Sequence, residues 1–489
     1  MRLQLSGIDQ DFHRALQYSH SSAPIPPDWG FIIIYSHSVF AVFASRLRFA
    51  LRHPFTRDSA ILQVAGIISK VVGIATGILY ANLLGPELFG LYALAVALAG
   101  FLNVFQEFGM SHAMVNLLAR AEARGDQTEA QHVLAYFLKA TVLIGATSGL
   151  AGMLSAPLLG KWWYGSTAVG WYASLGVLAF ALTFFVPLVT TIQQVRRELI
   201  PLTVLETASK VLGATLTVAL VVAGAGVLGV IVGQLLVTVG SSIAAAAMYR
   251  QYVRQGTVAS IASLWRTAVP WAKIRYYFRF GFLIAISKNI LKINQTVPLL
   301  IVGAVLPTTS GLGFFKVAFT YVGLPLVIAD PVARLLNDQF PKTEVAGYRK
   351  LFKRFYQVTA LTVAVHLVLL APALALSPWV LTFLFPAYHS ALPFVFALAP
   401  YPLLVASAVG FAAMFRTLNR MRANVVMQVL TLLAMLPLAW WLIRAQAILG
   451  LVVVTLLLTL VPVVMGFSYF WWLGRRLVPH VAEPALANE

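Results

Sequence analysis

Twelve apolar runs of about 20 residues, the length that crosses a bilayer core as a helix, follow one another along this chain. They lie at 60–82, 90–110, 133–157, 171–192, 201–223 and 227–248, then at 280–303, 310–331, 353–376, 391–413, 425–443 and 449–473. The 489 residues are 60% hydrophobic and only 10% charged. Soluble domains are about 25% charged, so a single soluble core is excluded. In hydrocarbon a backbone must satisfy its own hydrogen bonds, and a helix does so internally. The expected fold class is an all-α integral membrane protein of about twelve transmembrane helices. No cysteine is present, which removes disulfides and thiolate metal sites.

Charge gives these spans a direction. Of 35 Lys and Arg, 27 fall in connections on one side of the map, Lys161 and Arg444 fall on the other, and six lysines fall inside spans. Short loops rich in Lys and Arg face the cytoplasm, so both termini are expected there. The net charge of +19 reflects topology, and nucleic acid is not an expected partner. Residues 1–59 read as an N-terminal cytoplasmic extension, partly disordered, whose apolar run Phe31 to Phe43 is too short to span. The expected organisation is a first six-helix half at 60–248, a basic linker at 249–279, a second half at 280–473 and a tail at 474–489. Trp162-Trp163 and Trp471-Trp472 suit the membrane interfaces.

The lysines inside the spans need a reason, because a charged side chain at mid-bilayer costs roughly 2.5–3.5 kcal/mol on insertion scales. At 1.5 Å per residue, Lys288 and Lys292 lie roughly 13 and 19 Å into span seven. With Asn289, Gln295 and Thr296 they occupy an arc of about 120°, a stripe expected to line a cavity. Span five carries Thr203, Glu206, Thr207 and Lys210 on one comparable arc, with Glu206 and Lys210 in the favourable i,i+4 order for an ion pair. Lys70 lies mid-span one, within reach of Glu107 on a neighbouring helix. Asn103 and Gln106 approach the inner end of span two; Lys316 and Asp330 belong to span eight. Lys139, near an inner end, is expected to snorkel. His366, in span nine, reads as a hydrogen-bonded packing residue.

The two halves open alike, each with a lysine-bearing span, a short outer turn and a Gly-aromatic start to the next span. In the first half this is LLGPELFGLYALAVALAGFLNVFQEFGM, Leu83 to Met110; in the second it is VLPTTSGLGFFKVAFTYVGLPLVIADP, Val305 to Pro331. Transporters are commonly built from such repeats around a midplane site. The first stretch resembles the opening motif of the Wzx-like polysaccharide and oligosaccharide flippases. These belong to the multidrug/oligosaccharidyl-lipid/polysaccharide (MOP) exporter superfamily, with the lipid II flippases and MATE exporters. In the second half GFLIAISKNILKINQTVPLLIVGAVLPTTSGLGFFKVAF, Gly281 to Phe319, resembles their repeat-two motif more loosely. It departs at Asn294-Gln295, where many members carry an acidic residue, and at Gly313 to Phe315.

The resemblance implies two pseudo-repeated six-helix bundles around a central cavity and a flippase for a polyprenyl-pyrophosphate glycan in surface polysaccharide or lipopolysaccharide synthesis. It implies no enzyme activity and no cofactor. The implied partners are the lipid-linked oligosaccharide, membrane lipids and the polymerase and glycosyltransferase machinery. On this reading Lys70, Lys210, Lys288, Lys292 and Lys316 meet the anionic headgroup. Asn289, Gln295, Thr296, Thr203, Thr207, Asn103 and Gln106 line the polar passage, and Glu206, Glu107 and Asp330 are candidates for ion coupling. A lipid II-type flippase would share fold and headgroup but commonly has two further spans. A MATE-type antiporter for cationic drugs calls for acidic cavities, against the lysine excess. A membrane enzyme would need longer outer loops and a catalytic motif, neither of which appears.

Overall fold

The computed structural model describes residues 54–104, 106, 110–306, 308–345 and 347–477. The chain forms two units, residues 1–60 and 61–489. Most of the first, including the run Phe31 to Phe43, lies outside the described residues, as does the tail from 478.

Among the described residues the chain is helical without strands, and the twelve spans appear where the apolar runs place them. Several are continuous with their neighbours. Spans one and two form one helical run, Pro54–Asn103, broken only at Gly85 (φ 71°), a left-handed conformation that glycine adopts without steric cost. Spans five and six, Leu199–Leu220 and Gly226–Arg254, join through a π-turn at Val221–Ala225 with Gly224 at φ 90° and Gly226 at φ 52°. Spans eleven and twelve form one run, Met421–Leu477, broken at Ala447 (φ 52°, ψ −124°). In these three places the connection between spans is a kink of a few residues.

Spans three and seven are the helices Gln127–Tyr164 and Trp271–Val305, and span nine is Tyr348–Leu384. Span four bends by 41° between Thr167–Ala181 and Phe185–Val195, and span ten bends by 48° after Ala397. Span eight breaks into Ser310–Val322, a 3-10 turn at Leu324–Ile328 containing Pro325, and Ala329–Val345. Without its N–H, proline cannot continue the helical ladder.

The stretch 249–279 is far from a loose linker. It holds the end of span six, a short helix Ile261–Arg266 and the start of span seven. Lys273 pairs with Glu129 and contacts His132 Nδ1 at 3.0 Å, while the Tyr277 hydroxyl donates to Glu129 (2.6 Å). Lys139 Nζ donates to the Thr267 carbonyl (2.7 Å) and Arg196 to the Thr257 carbonyl (2.6 Å). These bonds fasten the stretch onto the first half.

The apolar cores decide the shape. One cluster draws on both halves, from Tyr80–Leu102, Ala156–Val177 and Val221–Ile231 to Leu300–Val322, Leu370–Leu398 and Ala439–Val454. All of these border the charge-poor connections. At the basic end the halves have separate cores: one holds Met114, Phe137, Tyr249 and Tyr277, the other Phe340, Phe355, Phe415 and Phe470. The two bundles share a core at the charge-poor end and are divided, core from core, toward the basic end.

Candidate functional site

At the charge-poor end the halves meet in a close backbone contact, the roof of the division between them. A Cβ at Gly90 would sit 1.8 Å from the Thr309 carbonyl oxygen, and one at Gly313 would sit 2.2 Å from that of Pro86. Each glycine meets the carbonyl four residues before the other, so the contact is reciprocal and reflects the internal repeat. Around it the Thr309 hydroxyl donates to the Glu87 carbonyl (2.8 Å), Asn82 to the Leu384 carbonyl (2.6 Å) and the buried Tyr388 hydroxyl to the Ala81 carbonyl (2.9 Å). Tyr388 also packs edge-on against Phe89 and Phe314. Lipid tails leave no hydrophobic drive between helices, so small residues that admit close packing supply the association.

Below this roof the six lysines inside spans take different positions. Lys316 lies two turns from Thr309, and at 100° per residue Thr309, Gly313, Lys316 and Thr320 share one face within about 60°. That face packs on the first half at Gly313, so Lys316 stands beneath the roof. It is half-buried and makes no hydrogen bond or ion pair among the described residues. Lys292 places its ammonium over the Phe180 ring, 5.6 Å from the centroid, with no carboxylate partner among the described residues.

Beside it Asn289 Nδ2 donates to the Val104 carbonyl (3.1 Å), and the Thr296 hydroxyl bonds back to the Lys292 carbonyl (2.8 Å). A Cβ at Gly100 would meet the Thr296 methyl at 3.5 Å, which sets span seven against span two. Gln295 is exposed; Lys288 shares the helix, but its side chain lies outside the described residues.

Asn103 and Gln106 are buried at the end of span two, where Gln106 Nε2 donates to Asn103 Oδ1 (3.0 Å) and Gln106 Oε1 has no partner. Spans two, four and six border an open pocket of about 190 Å³ lined by Asn103, Tyr172, Phe180, Thr183, the exposed Gln234 and Thr238 with apolar residues. Sequence reading missed Tyr172, Phe180 and Gln234. The signal for them was weak, because aromatic and amide residues scattered over three spans reveal no common pocket until the helices are packed.

Other expectations come out differently. Lys70 donates to the Val327 carbonyl at 2.8 Å, a carbonyl within the 3-10 break of span eight. It therefore bridges the halves, and Glu107, its expected counter-charge, lies outside the described residues. The expected Glu206–Lys210 ion pair does not form. Both side chains are exposed on the surface of span five and neither has an ion-pair partner among the described residues.

Thr203 is buried and bonds back to the Leu199 carbonyl (2.7 Å), and Thr207 is half-buried beside it. The side chain of Asp330 lies outside the described residues. His366 is fully buried, with Nδ1 on the Thr362 carbonyl (2.7 Å) and Nε2 unpartnered. At the basic end Arg475 and Arg476 stack on Trp471 and Trp472, 3.7 and 4.0 Å from the ring centroids, a pairing of cation and aromatic face.

Known proteins share this architecture. An inward-facing multidrug resistance MATE family transporter of the MOP superfamily matches with TM-score 0.67 and 17% identity, over 85% of this chain and 96% of that one. An outward-facing conformation of such a transporter gives 0.61 at 17% identity, over 88% and 97%. A MOP superfamily transporter from Pyrococcus furiosus Vc1 (DSM3638), described as having a binding pocket of reversed polarity that suggests a different function, gives 0.58 at 18% identity, over 88% and 97%.

At these identities the likeness is one of fold; the long apolar helices make this chain an integral, multi-pass membrane protein. In sequence, stage V sporulation protein B of Bacillus subtilis (strain 168) is 26% identical over 110 residues. The match spans 22% of this chain and about a fifth of that relative's length (21%). The model of the polysaccharide biosynthesis protein family matches residues 55–335, more than half of the sequence including the first bundle and the opening of the second, and the chain belongs to that family.

Proposed function

We propose that the protein is a flippase carrying an anionic lipid-linked oligosaccharide, a polyprenyl-pyrophosphate glycan, from the cytoplasmic to the outer leaflet for cell-surface polysaccharide or lipopolysaccharide synthesis. The observation that carries this reading is the pair Lys292 and Lys316, half-buried cations on spans seven and eight of the second half, both on sides that meet the first half and without a carboxylate partner among the described residues. A desolvated ammonium without a counter-charge is costly, and a pyrophosphate supplies that charge together with strong acceptor oxygens. Lys288, on the same helix as Lys292, would add to this field, and Lys210 lies exposed on span five. The uncharged groups of Asn289, Gln295, Thr296, Asn103, Gln106, Thr203 and Thr207 would hydrogen-bond the glycan while the lipid tail stays in the bilayer.

The excess of Lys and Arg at one end orients that end toward the cytoplasm, with both termini inside and the protein in the cytoplasmic membrane. The division between the bundle cores then faces the side where the substrate is made. Transport would proceed by rocking of the halves about the midplane site, with Glu206, Glu107 or Asp330 coupling an ion to the cycle. Polymerase and glycosyltransferases would be the functional neighbours.

The test is the double substitution Lys288→Gln, Lys292→Gln in a strain that depends on this protein for its surface glycan. Export should fall at least about tenfold, a transition-state loss of about 1.4 kcal/mol, while the protein remains at normal level in the membrane. Wild-type export by that variant would overturn the reading.

A further inference from the structure

We infer that the basic end of the second bundle is a docking surface for anionic phospholipid headgroups, centred on the stacked pairs Arg475–Trp471 and Arg476–Trp472. The inference does not depend on the flippase reading. It needs only that this end of the bundle lies at a membrane surface.

Charge pattern is the first argument. An excess of Lys and Arg orients the spans, and Asp and Glu contribute little to that rule, so acids are free to neutralise the basic end. The first bundle uses them: Glu122 pairs with Arg196 at 3.5 Å and Glu129 pairs with Lys273. The second bundle does not. No Asp or Glu occurs between Glu344 and Glu483, while residues 349–354 carry four Lys and Arg, 416–422 carry three and 475–476 carry two. A shared aromatic core gathers these three stretches to one end. Phe352, Phe415 and Phe470 are buried in it, with the Phe415 and Phe470 centroids 4.6 Å apart, and a Cβ at Gly474 would meet Phe352 at 3.6 Å.

Geometry is the second. At 100° per residue Phe470, Leu473 and Gly474 turn one side of the helix into that core, and Trp471, Trp472, Arg475 and Arg476 occupy the other. Both indoles are exposed, as tryptophan is where hydrocarbon gives way to headgroups. The arginines stand one turn further along, about 6 Å at 1.5 Å per residue, the step from that belt to the phosphates. Each guanidinium sits over its indole, 3.7 and 4.0 Å from the ring centroid, and neither has a hydrogen bond or ion pair among the described residues. Its N–H fork matches two oxygens of one phosphate, and a guanidinium already held on a ring loses less freedom on binding. Arg416 and Arg420, exposed at the turn where Asn419 takes φ 53°, add to the field. A free phosphate would use the forks alone, whereas a phospholipid also lays its glycerol and upper acyl chains on the exposed indoles.

Native mass spectrometry of the full-length protein in detergent micelles, titrated with phosphatidylglycerol and separately with phosphatidylcholine, tests this. Phosphatidylglycerol should bind the more tightly. Arg475→Gln, Arg476→Gln together should raise the dissociation constant of the first phosphatidylglycerol at least about tenfold, since a basic residue near an anionic surface is worth about fivefold. Binding of phosphatidylcholine should stay within about twofold. Arg250→Gln, Arg254→Gln removes the same charge from exposed positions at the basic end of the first bundle, and should change phosphatidylglycerol binding by less than about twofold. Inorganic phosphate at about 10 mM should not displace the lipid, because it has no tail to set on the indoles.

The Gln variant should keep the wild-type far-UV circular dichroism and elution volume. Should it fail to fold, Arg475→Lys, Arg476→Lys serves in its place: it keeps both charges but loses the stacked fork, and should weaken binding about three- to fivefold. Equal losses from the two double Gln variants would show a diffuse response to net charge and overturn the docking surface. So would wild-type affinity in the Arg475, Arg476 variants, or displacement of the lipid by inorganic phosphate. Export of the surface glycan is measured separately, so these results leave the flippase reading where its own test puts it.

Discussion

Lys316 shows how a single residue trades stability for a site. Its ammonium has no partner among the described residues and stands on a helix face turned toward the other half. Holding a cation in such a place disfavours the empty protein, and a bound anion would relieve the cost. Lys316→Met should therefore raise the midpoint of thermal aggregation in detergent, by an amount equivalent to about 1–3 kcal/mol, while lowering glycan export. A variant that lost stability would show that the lysine is a structural element with an unrecognised partner. Lys70 is the contrasting case. The sequence placed both lysines inside the membrane, but only the packed structure shows one bonded across the halves to Val327 and the other left open. That difference depends on a carbonyl freed by a helix break some 257 positions away, which periodicity does not reveal.

At the scale of the element, the kinks between spans five and six and between eleven and twelve are equivalents in the repeat. Gly226 adopts φ 52°, ψ −137°, and Ala447 adopts φ 52°, ψ −124°. Three residues after each comes a glycine in close contact with the preceding span: a Cβ at Gly229 would lie 3.1 Å from the Leu220 carbonyl carbon, and one at Gly450 2.2 Å from the Leu442 oxygen. One half has the residue this backbone favours and the other has alanine, which pays about 1–3 kcal/mol of strain. Ala447→Gly should stabilise the second bundle by about 1 kcal/mol after the extra unfolded-state entropy of glycine, read as a higher midpoint of thermal aggregation. A lower midpoint would mean that the alanine methyl makes a contact worth more than the strain. The apolar runs made the spans themselves legible, because period and length follow from bilayer thickness. The kinks were hidden because backbone angle is set by how two spans dock.

For the whole molecule, the reciprocal contact of Gly90 and Gly313 ties the two halves together at the charge-poor end. Any side chain at either position collides with backbone, which cannot move aside as a side-chain tip would. Gly90→Val should separate the halves at the charge-poor end and shift the population toward that end being open. The chain has no cysteine, so spin labels can be placed at Leu83 and Phe383, both exposed near that end, without background. Electron–electron resonance should read a longer distance for Gly90→Val than for the parent. An unchanged distance would show that the contact is incidental to closure.

What the sequence alone determined were the quantities that the bilayer imposes on any chain: the approximate number and length of the spans, and the repeat of the two halves. Each depends only on local composition or on neighbours one helical turn apart. The tertiary structure alone decided which described lysines lack a counter-charge, where aromatic and amide groups from three spans border one pocket, and at which end the two halves share a core. Those features arise from contacts between residues far apart in sequence, and close packing of helices, rather than hydropathy, selects them.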